Sequence, residues 1–342
     1  MTFCTACTPD LAIPEQGYLL LLHSRHDTLP LLEPFYTKDK VYAVPYRNPD
    51  ELSDRLTQIN SETETANIKA ALAANPKEAK TFSPFGYIYE RVVQRDLVDL
   101  IMKGDFSSFF QPIVHLESGS LYGYESLLRS FDPPVSPFHL FGTAIKTGLQ
   151  SILDRRAREL AIMSRSDSIK PGIKSFINFI PSSIYNPEHC LQHTFKMVKQ
   201  YGVRPDDLIF EVVETEKIKD INHLKNILDT YRAHGMKVAL DDLGSGYSTY
   251  EVLEKLKPDY VKIDRQYISD CYKDPEKQTF LNKVQGLARE LSITVLAEGI
   301  ESEEEFSYLQ SIDIHLGQGY FIGKPAKSPA SQESLFSQIP VH

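Results

Sequence analysis

Met236–Ser248 reads MKVALDDLGSGYS, and its reading decides the fold. MKVAL is a short apolar run with β-branched content, the pattern of a buried strand. Asp241 and Asp242 then stand where the strand gives way to a Gly-Ser-Gly loop. Two adjacent carboxylates repel each other and are costly to bury unless a cation lies between them. Taken alone, the stretch reads more readily as an ordinary turn, since Asp and Gly are common turn formers. The sequence around it decides between the two.

Downstream of Phe109, strand-like and helix-like segments alternate. FFQPIVHL, YGYESLLR, KSFINFI, LIFEVV, MKVAL, DYVKI, ITVLA and GQGYFI read as strands. Helices are expected within Phe138–Ser164, and over Glu188–Tyr201, Ile221–His234, Ser248–Leu256, Glu276–Leu291 and Glu303–Ser311. Apolar strands alternating with helices predict a parallel sheet buried on both faces. Seven or eight such units predict a closed (β/α)8 TIM-like barrel. Parallel barrel strands open their C-terminal ends on one rim. There the sequence places Glu125, Asn178, Glu211, Glu214, Asp241, Asp242, Lys262, Asp264, Glu298, Glu301 and Gln318.

Each of these has a plain reading as a helix cap, turn or surface residue. Those readings do not account for oxygen donors at nearly every strand end. Nor do they account for Glu125, Glu211 and Lys262 inside apolar sequence, where a charge needs a partner. Carboxylate and amide oxygens without His or Cys suit Mg²⁺ or Mn²⁺. Two such ions sharing a bridging carboxylate would relieve the Asp241–Asp242 repulsion and support phosphodiester hydrolysis.

Residues 1–80 are expected to form a small α/β unit, possessing strands at Gly17–His23 and Val41–Tyr46 and a helix from Asn48 through Asn60. A short helix is expected over Leu29–Tyr36. Ser61–Ser83 reads as a connection, partly helical because Ile68 and Leu72 are four apart. Tyr87–Lys103 reads as one amphipathic helix. The expected domains are therefore 1–80, a connecting helical segment 81–104, and a barrel over 105–330.

The chain has 342 residues, 42% hydrophobic and 24% charged, the composition of a globular protein. No apolar run approaches the ~18 residues needed to span a membrane. The formal net charge of −9 argues against a sequence-independent grip on long nucleic acid. Four cysteines and no recognisable secretory signal predict a reducing, cytoplasmic setting. Cys4-x-x-Cys7 with His23-x-x-His26 could supply four zinc ligands, although their apolar spacer favours incidental placement.

The motifs FQPIV, YESLLR, FINF, FEVVE, LDDLGSGYS, VKID, LAEGIE and QGYFIGKP, in this order, resemble the EAL-domain family of cyclic di-GMP phosphodiesterases. The resemblance covers Asp105–Lys327. It implies a barrel whose first strand is antiparallel to the others, and hydrolysis of cyclic di-GMP to linear pGpG with two divalent metals, Mg²⁺ or Mn²⁺. Carried over by motif, Glu125, Asn178, Glu211 and Asp241 hold one metal, and Asp241 and Asp242 the second. Lys262 contacts the nucleophilic water and Glu298 binds or deprotonates it. Arg129 grips a phosphate oxygen, and Gln111, Glu125, Leu128, Asp264 and Gln318 line the substrate. Glu214 and Glu301 stabilise loops. A homodimer is implied, and Leu243 stands where the family has Phe. A receptor that binds cyclic di-GMP without cleaving it, signalling through the N-terminal segment, is the alternative.

Overall fold

The computed structural model describes residues 13–22, 36–38, 40–78, 81–213, 220–243 and 250–336, with side chains left out for 36–38, Asp242 and Tyr250. The chain divides into two compact units, Met1–Asp105 with Val135–Leu153, and Phe106–Pro134 with Asp154–His342. Among the described residues no helix is long and apolar enough to cross a membrane.

The first unit holds a five-stranded sheet made of β1 (Gly17–Leu22), β2 (Tyr36–Lys38), β3 (Val41–Tyr46), β4 (Lys69–Ala73) and β5 (Ser83–Pro84), in the order β2-β3-β1-β4-β5. Helix Pro49–Glu62 starts where the Asn48 side chain accepts the Glu51 N–H at 2.8 Å, with Pro49 in its first turn. It buries Leu52, Leu56 and Ile59.

β4 corrects the partly helical reading of Ser61–Ser83. A spacing of four fits a helix turn and also two strand repeats. Ile68, Ala70 and Leu72 pack on one side of the sheet, and Ala71 and Ala73 on the other, so the period is two. The expected helix over Leu29–Tyr36 lies outside the described residues except for Tyr36, which belongs to β2. The single helix expected over Tyr87–Lys103 is two, Phe85–Val93 and Arg95–Lys103, which meet at Gln94. Buried Arg91 donates from Nε to the Thr147 carbonyl at 2.7 Å, fastening the first of them to helix Pro137–Thr147.

The second unit is a closed barrel of eight strands: β6 (Phe106–His115), β7 (Leu121–Ser130), β8 (Lys174–Phe179), β9 (Leu208–Val212), β10 (Lys237–Leu243), β11 (Tyr260–Ile263), β12 (Thr294–Ala297) and β13 (Leu316–Gln318). β6 runs antiparallel to both β7 and β13, and the other neighbours pair in parallel. The cause is local. A short turn with Gly119 at φ 67° joins β6 to β7 as a hairpin, whereas parallel neighbours need longer crossovers. Those crossovers include helices Gln192–Gln200, Ile221–Ala233, Tyr250–Leu256, Pro275–Leu291 and Glu303–Ser311. Helix Ile221–Ala233 shows why they form: Asp220 accepts the Asn222 and His223 N–H groups, and Leu224, Ile227, Leu228 and Tyr231 make one buried stripe.

Three boundaries differ from the sequence expectation. β10 continues through Asp241 and Asp242 to Leu243, which is buried and opposite Ile263, and the register with β11 shifts between Leu240 and Leu243. The acidic pair therefore sits in a bulged strand end, ahead of the Gly-Ser-Gly stretch. β13 is three residues, not GQGYFI. A Cβ on Gly319 would stand 2.0 Å from the Ile300 carbonyl oxygen, and the Ile322 N–H turns back to the Gly319 carbonyl. The helix expected over Glu188–Tyr201 breaks at Leu191 into Pro187–Cys190 and Gln192–Gln200.

Candidate active site

One layer inside the barrel is apolar and is built from Ile113, Phe176, Ile209, Ala239, Tyr260, Leu296 and Leu316, one residue from each of seven strands, with Tyr122 of β7 packed against it. Side chains two residues apart on a strand share a face. Two residues further toward one rim, each of those seven strands presents a polar side chain: Gln111 on β6, Asn178 on β8, Glu211 on β9, Asp241 on β10, Lys262 on β11, Glu298 just past β12, and Gln318 on β13; β7 adds Glu125, opposite Gln111. On antiparallel β6 the step runs backward, from Ile113 to Gln111. The apolar layer keeps water from below, and Tyr122 and Tyr260 join their hydroxyls at 2.5 Å within it.

Lys262 is the centre of this ring. Its side chain is 2% exposed, and its Nζ lies 2.6 Å from Glu298 Oε1, 3.1 Å from Glu211 Oε2, 3.2 Å from Asp241 Oδ1 and 3.8 Å from Glu125 Oε1. Glu125 is fixed by two amides: Asn178 Nδ2 donates to Oε1 at 2.9 Å and Gln318 Nε2 to Oε2 at 2.7 Å. Those bonds assign both amide orientations, leaving Asn178 Oδ1 and Gln318 Oε1 as acceptors.

Burial alone would lower the Lys262 pKa, but the surrounding carboxylates hold it well above the ordinary lysine value. Burial would raise Glu125, yet Lys262 and the two amides hold it below its ordinary value. Burial pushes Glu211 well above the carboxylate range against the pull of Lys262, with Glu125 and Asp241 adding to the rise. Burial likewise pushes Glu298 up to about 8, opposed by Lys262. Among the described side chains, four carboxylates face the Lys262 ammonium.

Among the described residues no three His, Cys, Asp or Glu side chains form a ready metal cage. The donor set nevertheless fits a hard divalent cation. Neither oxygen of fully buried Glu211 accepts a hydrogen bond among the described residues, so a deeply buried acceptor pair faces the ring, with Oε2 in an ion pair with Lys262. Glu125, Glu211, Asp241 and Asn178 supply the oxygen donors that Mg²⁺ and Mn²⁺ prefer.

The remaining expected site residues have other surroundings. Arg129, half-buried, donates to the Leu128 carbonyl at 2.8 Å and lies over the Phe109 ring at 5.7 Å. Leu128 itself is buried. Gln111 stands opposite Glu125 in the β6–β7 ladder. Asp264 caps helix Arg265–Ile268 by accepting the Gln266 N–H at 2.7 Å, and exposed Glu301 pairs with Arg265 at 2.9 Å. Glu214 and the Cys4, Cys7, His23, His26 set lie outside the described residues, as does the side chain of Asp242.

Three supporting groups were missed in the sequence. Buried Glu305 accepts the N–H groups of Asp270, Glu301 and Ser302, tying together the loops after β11 and β12. Its capping-box signal, Ser302-x-x-Glu305, is visible in the sequence. Buried Asp154 accepts the Ile180 N–H at 2.8 Å and the Ser183 hydroxyl at 2.7 Å and pairs with Arg158, bracing the segment after Asn178. Gly299 has φ 70°, and a Cβ there would stand 2.5 Å from Arg265 Cγ, so glycine is required beside Glu298.

A closed eight-stranded barrel with one reversed strand, carrying a buried lysine within a carboxylate ring, defines a class of α/β barrel proteins with an acidic rim centre. The chain belongs to the EAL domain family, which matches residues 94–325. It is 35% identical over 237 residues to "Probable cyclic di-GMP phosphodiesterase PdeG" of Escherichia coli (strain K12), covering 66% of this chain and 45% of that protein. It is 32% identical over 227 residues to "Cyclic di-GMP phosphodiesterase PA2567" of Pseudomonas aeruginosa, covering 64% of this chain and 38% of that protein. The chain thus spans less than half the length of these two relatives. Among solved structures it is similar to a standalone EAL protein of Vibrio cholerae O395 in its c-di-GMP bound form, at 33% identity and TM-score 0.62, covering 67% of this chain and 96% of that one. It is also similar to the manganese and cyclic di-GMP complex of Klebsiella pneumoniae BlrP1, at 30% identity and TM-score 0.60, covering 65% and 56%.

Proposed function

We propose that the chain is a divalent-metal-dependent phosphodiesterase that hydrolyses cyclic di-GMP to linear pGpG. The observation that carries this is the buried Lys262 ringed by Glu125, Glu211, Asp241 and Glu298. The names of the two relatives, and the cyclic di-GMP and manganese in the two similar structures, support the substrate and the metal.

Glu125, Asn178, Glu211, Asp241 and Asp242 would hold the metal. When bound, such ions supply Lewis-acid polarisation of a phosphate oxygen and lower the pKa of water. The chain's own residues do the rest. Glu298, already held against Lys262, accepts the proton of the attacking water. Lys262 directs an N–H at the reacting centre, where negative charge builds as the water oxygen bonds to phosphorus. The opposite P–O ester bond breaks, and its oxygen takes a proton from solvent water and leaves as the sugar hydroxyl, which opens the ring. Arg129 neutralises a phosphate oxygen.

The test runs cyclic di-GMP binding beside product detection, with and without Mn²⁺. Metal-dependent pGpG formation, absent in Glu211→Gln, supports the proposal. Binding with no pGpG under Mg²⁺ or Mn²⁺ would favour a receptor that does not cleave.

A further inference from the structure

The ring has a built-in cation. Lys262 Nζ lies within 3.8 Å of carboxylates from four neighbouring chain segments, and its side chain is shut off from solvent by the apolar layer beneath and the carboxylates beside it. Without a central positive charge, Glu211 and Glu125 would be buried with no compensating cation, an arrangement that proteins avoid by protonation or local opening. The acceptors that Lys262 contacts, Glu125, Glu211 and Asp241, are the same ones that suit a divalent ion. From this we infer that Lys262 is the resident counter-cation of the metal-free centre, and that it sets the affinity for divalent cation by competing for those oxygens. The inference rests on the metal-dependent reading above and adds a role that precedes catalysis.

In the metal-free chain the ammonium lets the carboxylates share one compact site. Once a divalent ion approaches Glu211 and Asp241, the same ammonium lies within a few ångströms of a second positive charge and repels it. Removing the lysine charge therefore has opposite effects on the two states: it weakens the metal-free fold and tightens metal binding. A lysine that served only as a donor to substrate would do neither.

The experiment uses the full chain and Mn²⁺ alone, titrated calorimetrically into wild type, Lys262→Met, Lys262→Gln and Lys262→Arg. Thermal unfolding is followed in EDTA and in saturating Mn²⁺. The expected result is Mn²⁺ binding at least about ten-fold tighter in Lys262→Met and Lys262→Gln, because a nearby repelling charge is gone. Both should melt lower than wild type in EDTA and regain the difference with Mn²⁺, while Lys262→Arg resembles wild type in EDTA. A variant that folds only when Mn²⁺ is supplied is the extreme form of the same result. Unchanged or weaker Mn²⁺ binding in both neutral variants overturns the inference. If Glu211→Gln still abolishes binding in otherwise wild-type protein, the metal reading survives that failure. Neutral variants that stay unfolded even with Mn²⁺ also overturn it, since a metal then cannot replace the lysine. If neither wild type nor the variants bind Mn²⁺, both readings fall.

Discussion

Lys262 Nζ and Glu298 Oε1 lie 2.6 Å apart, the shortest of the four ion pairs around that lysine. Lys262 is opposite Leu296 in the β11–β12 ladder, and Glu298 is two residues further on the same face. Strand pairing therefore brings Glu298, the proposed base, and Lys262 together. Glu298→Gln keeps the shape and removes the proton acceptor. It is predicted to lower turnover of cyclic di-GMP by about 10²–10⁴-fold, the usual span for a general base. Nucleotide affinity should change little. An unchanged single-turnover rate would remove Glu298 from the chemistry.

Gln318 reaches across the barrel to Glu125 Oε2 at 2.7 Å. Gln318→Leu deletes one of the two amide donors that hold this buried carboxylate. The expected loss is about 1–3 kcal/mol of stability in urea unfolding without metal, the cost of an orphaned buried acceptor. Mn²⁺ binding should weaken too, since Glu125 is then free to turn away. A variant that matched wild type in both assays would mean that the Gln318 bond is dispensable.

The Asp154–Arg158 pair, at 2.8 Å, is almost fully buried. Asp154→Ala leaves the guanidinium without its partner and also strips acceptors from the Ile180 N–H and the Ser183 hydroxyl. A loss of about 3–5 kcal/mol is expected, as for other broken buried pairs. Asp154→Leu with Arg158→Met should recover part of it, because no lone charge remains. A double variant no better than Asp154→Ala would assign the loss to the Ile180 and Ser183 bonds instead.

Cys271 is fully buried, and burial, reinforced by Glu305, pushes its thiol from an ordinary 9.0 up to about 12. A raised folded-state pKa means that the folded chain holds the proton more tightly. Its stabilising contribution is complete below pH 9.0 and is lost as pH rises through about 12. Wild type should therefore lose more stability than Cys271→Ala between pH 9 and 12. At pH 8 the peptide carrying Cys271 should resist iodoacetamide until the chain unfolds. Rapid native labelling of that peptide would show that the site opens.

Much of the barrel was legible because six strands, β8 to β13, repeat one pattern. An apolar residue is followed two positions later by a polar one, as in Phe176/Asn178, Ile209/Glu211, Tyr260/Lys262 and Leu296/Glu298. That pattern carries the site as well as the fold. Long-range packing was not legible. The spacing of Ile68 and Leu72 serves a helix or a strand equally, and only pairing with β1 and β5 decides it. The ending of β13 depends on how closely Gly319 approaches Ile300, and the bulge in β10 on its register with β11. Asp264 and Glu301 read as rim acids, yet each has a local partner, Gln266 N–H and Arg265. Asp154 sits near the start of helix Gln150–Ser168, followed by Arg155 and Arg156, and nothing in its neighbourhood announces that it braces the segment beyond Asn178.

Metal-dependent hydrolysis at the Lys262 ring can be followed in one assay. The most direct measurement is single-turnover conversion of cyclic di-GMP by the EDTA-treated chain before and after Mn²⁺ is restored, with the products separated and identified. Metal-dependent hydrolysis gives no product in EDTA, stoichiometric linear pGpG once Mn²⁺ is present, and none in Glu211→Gln under either condition. Cyclic di-GMP recovered intact from the Mn²⁺-loaded wild-type chain, or pGpG formed equally well in EDTA, would contradict it.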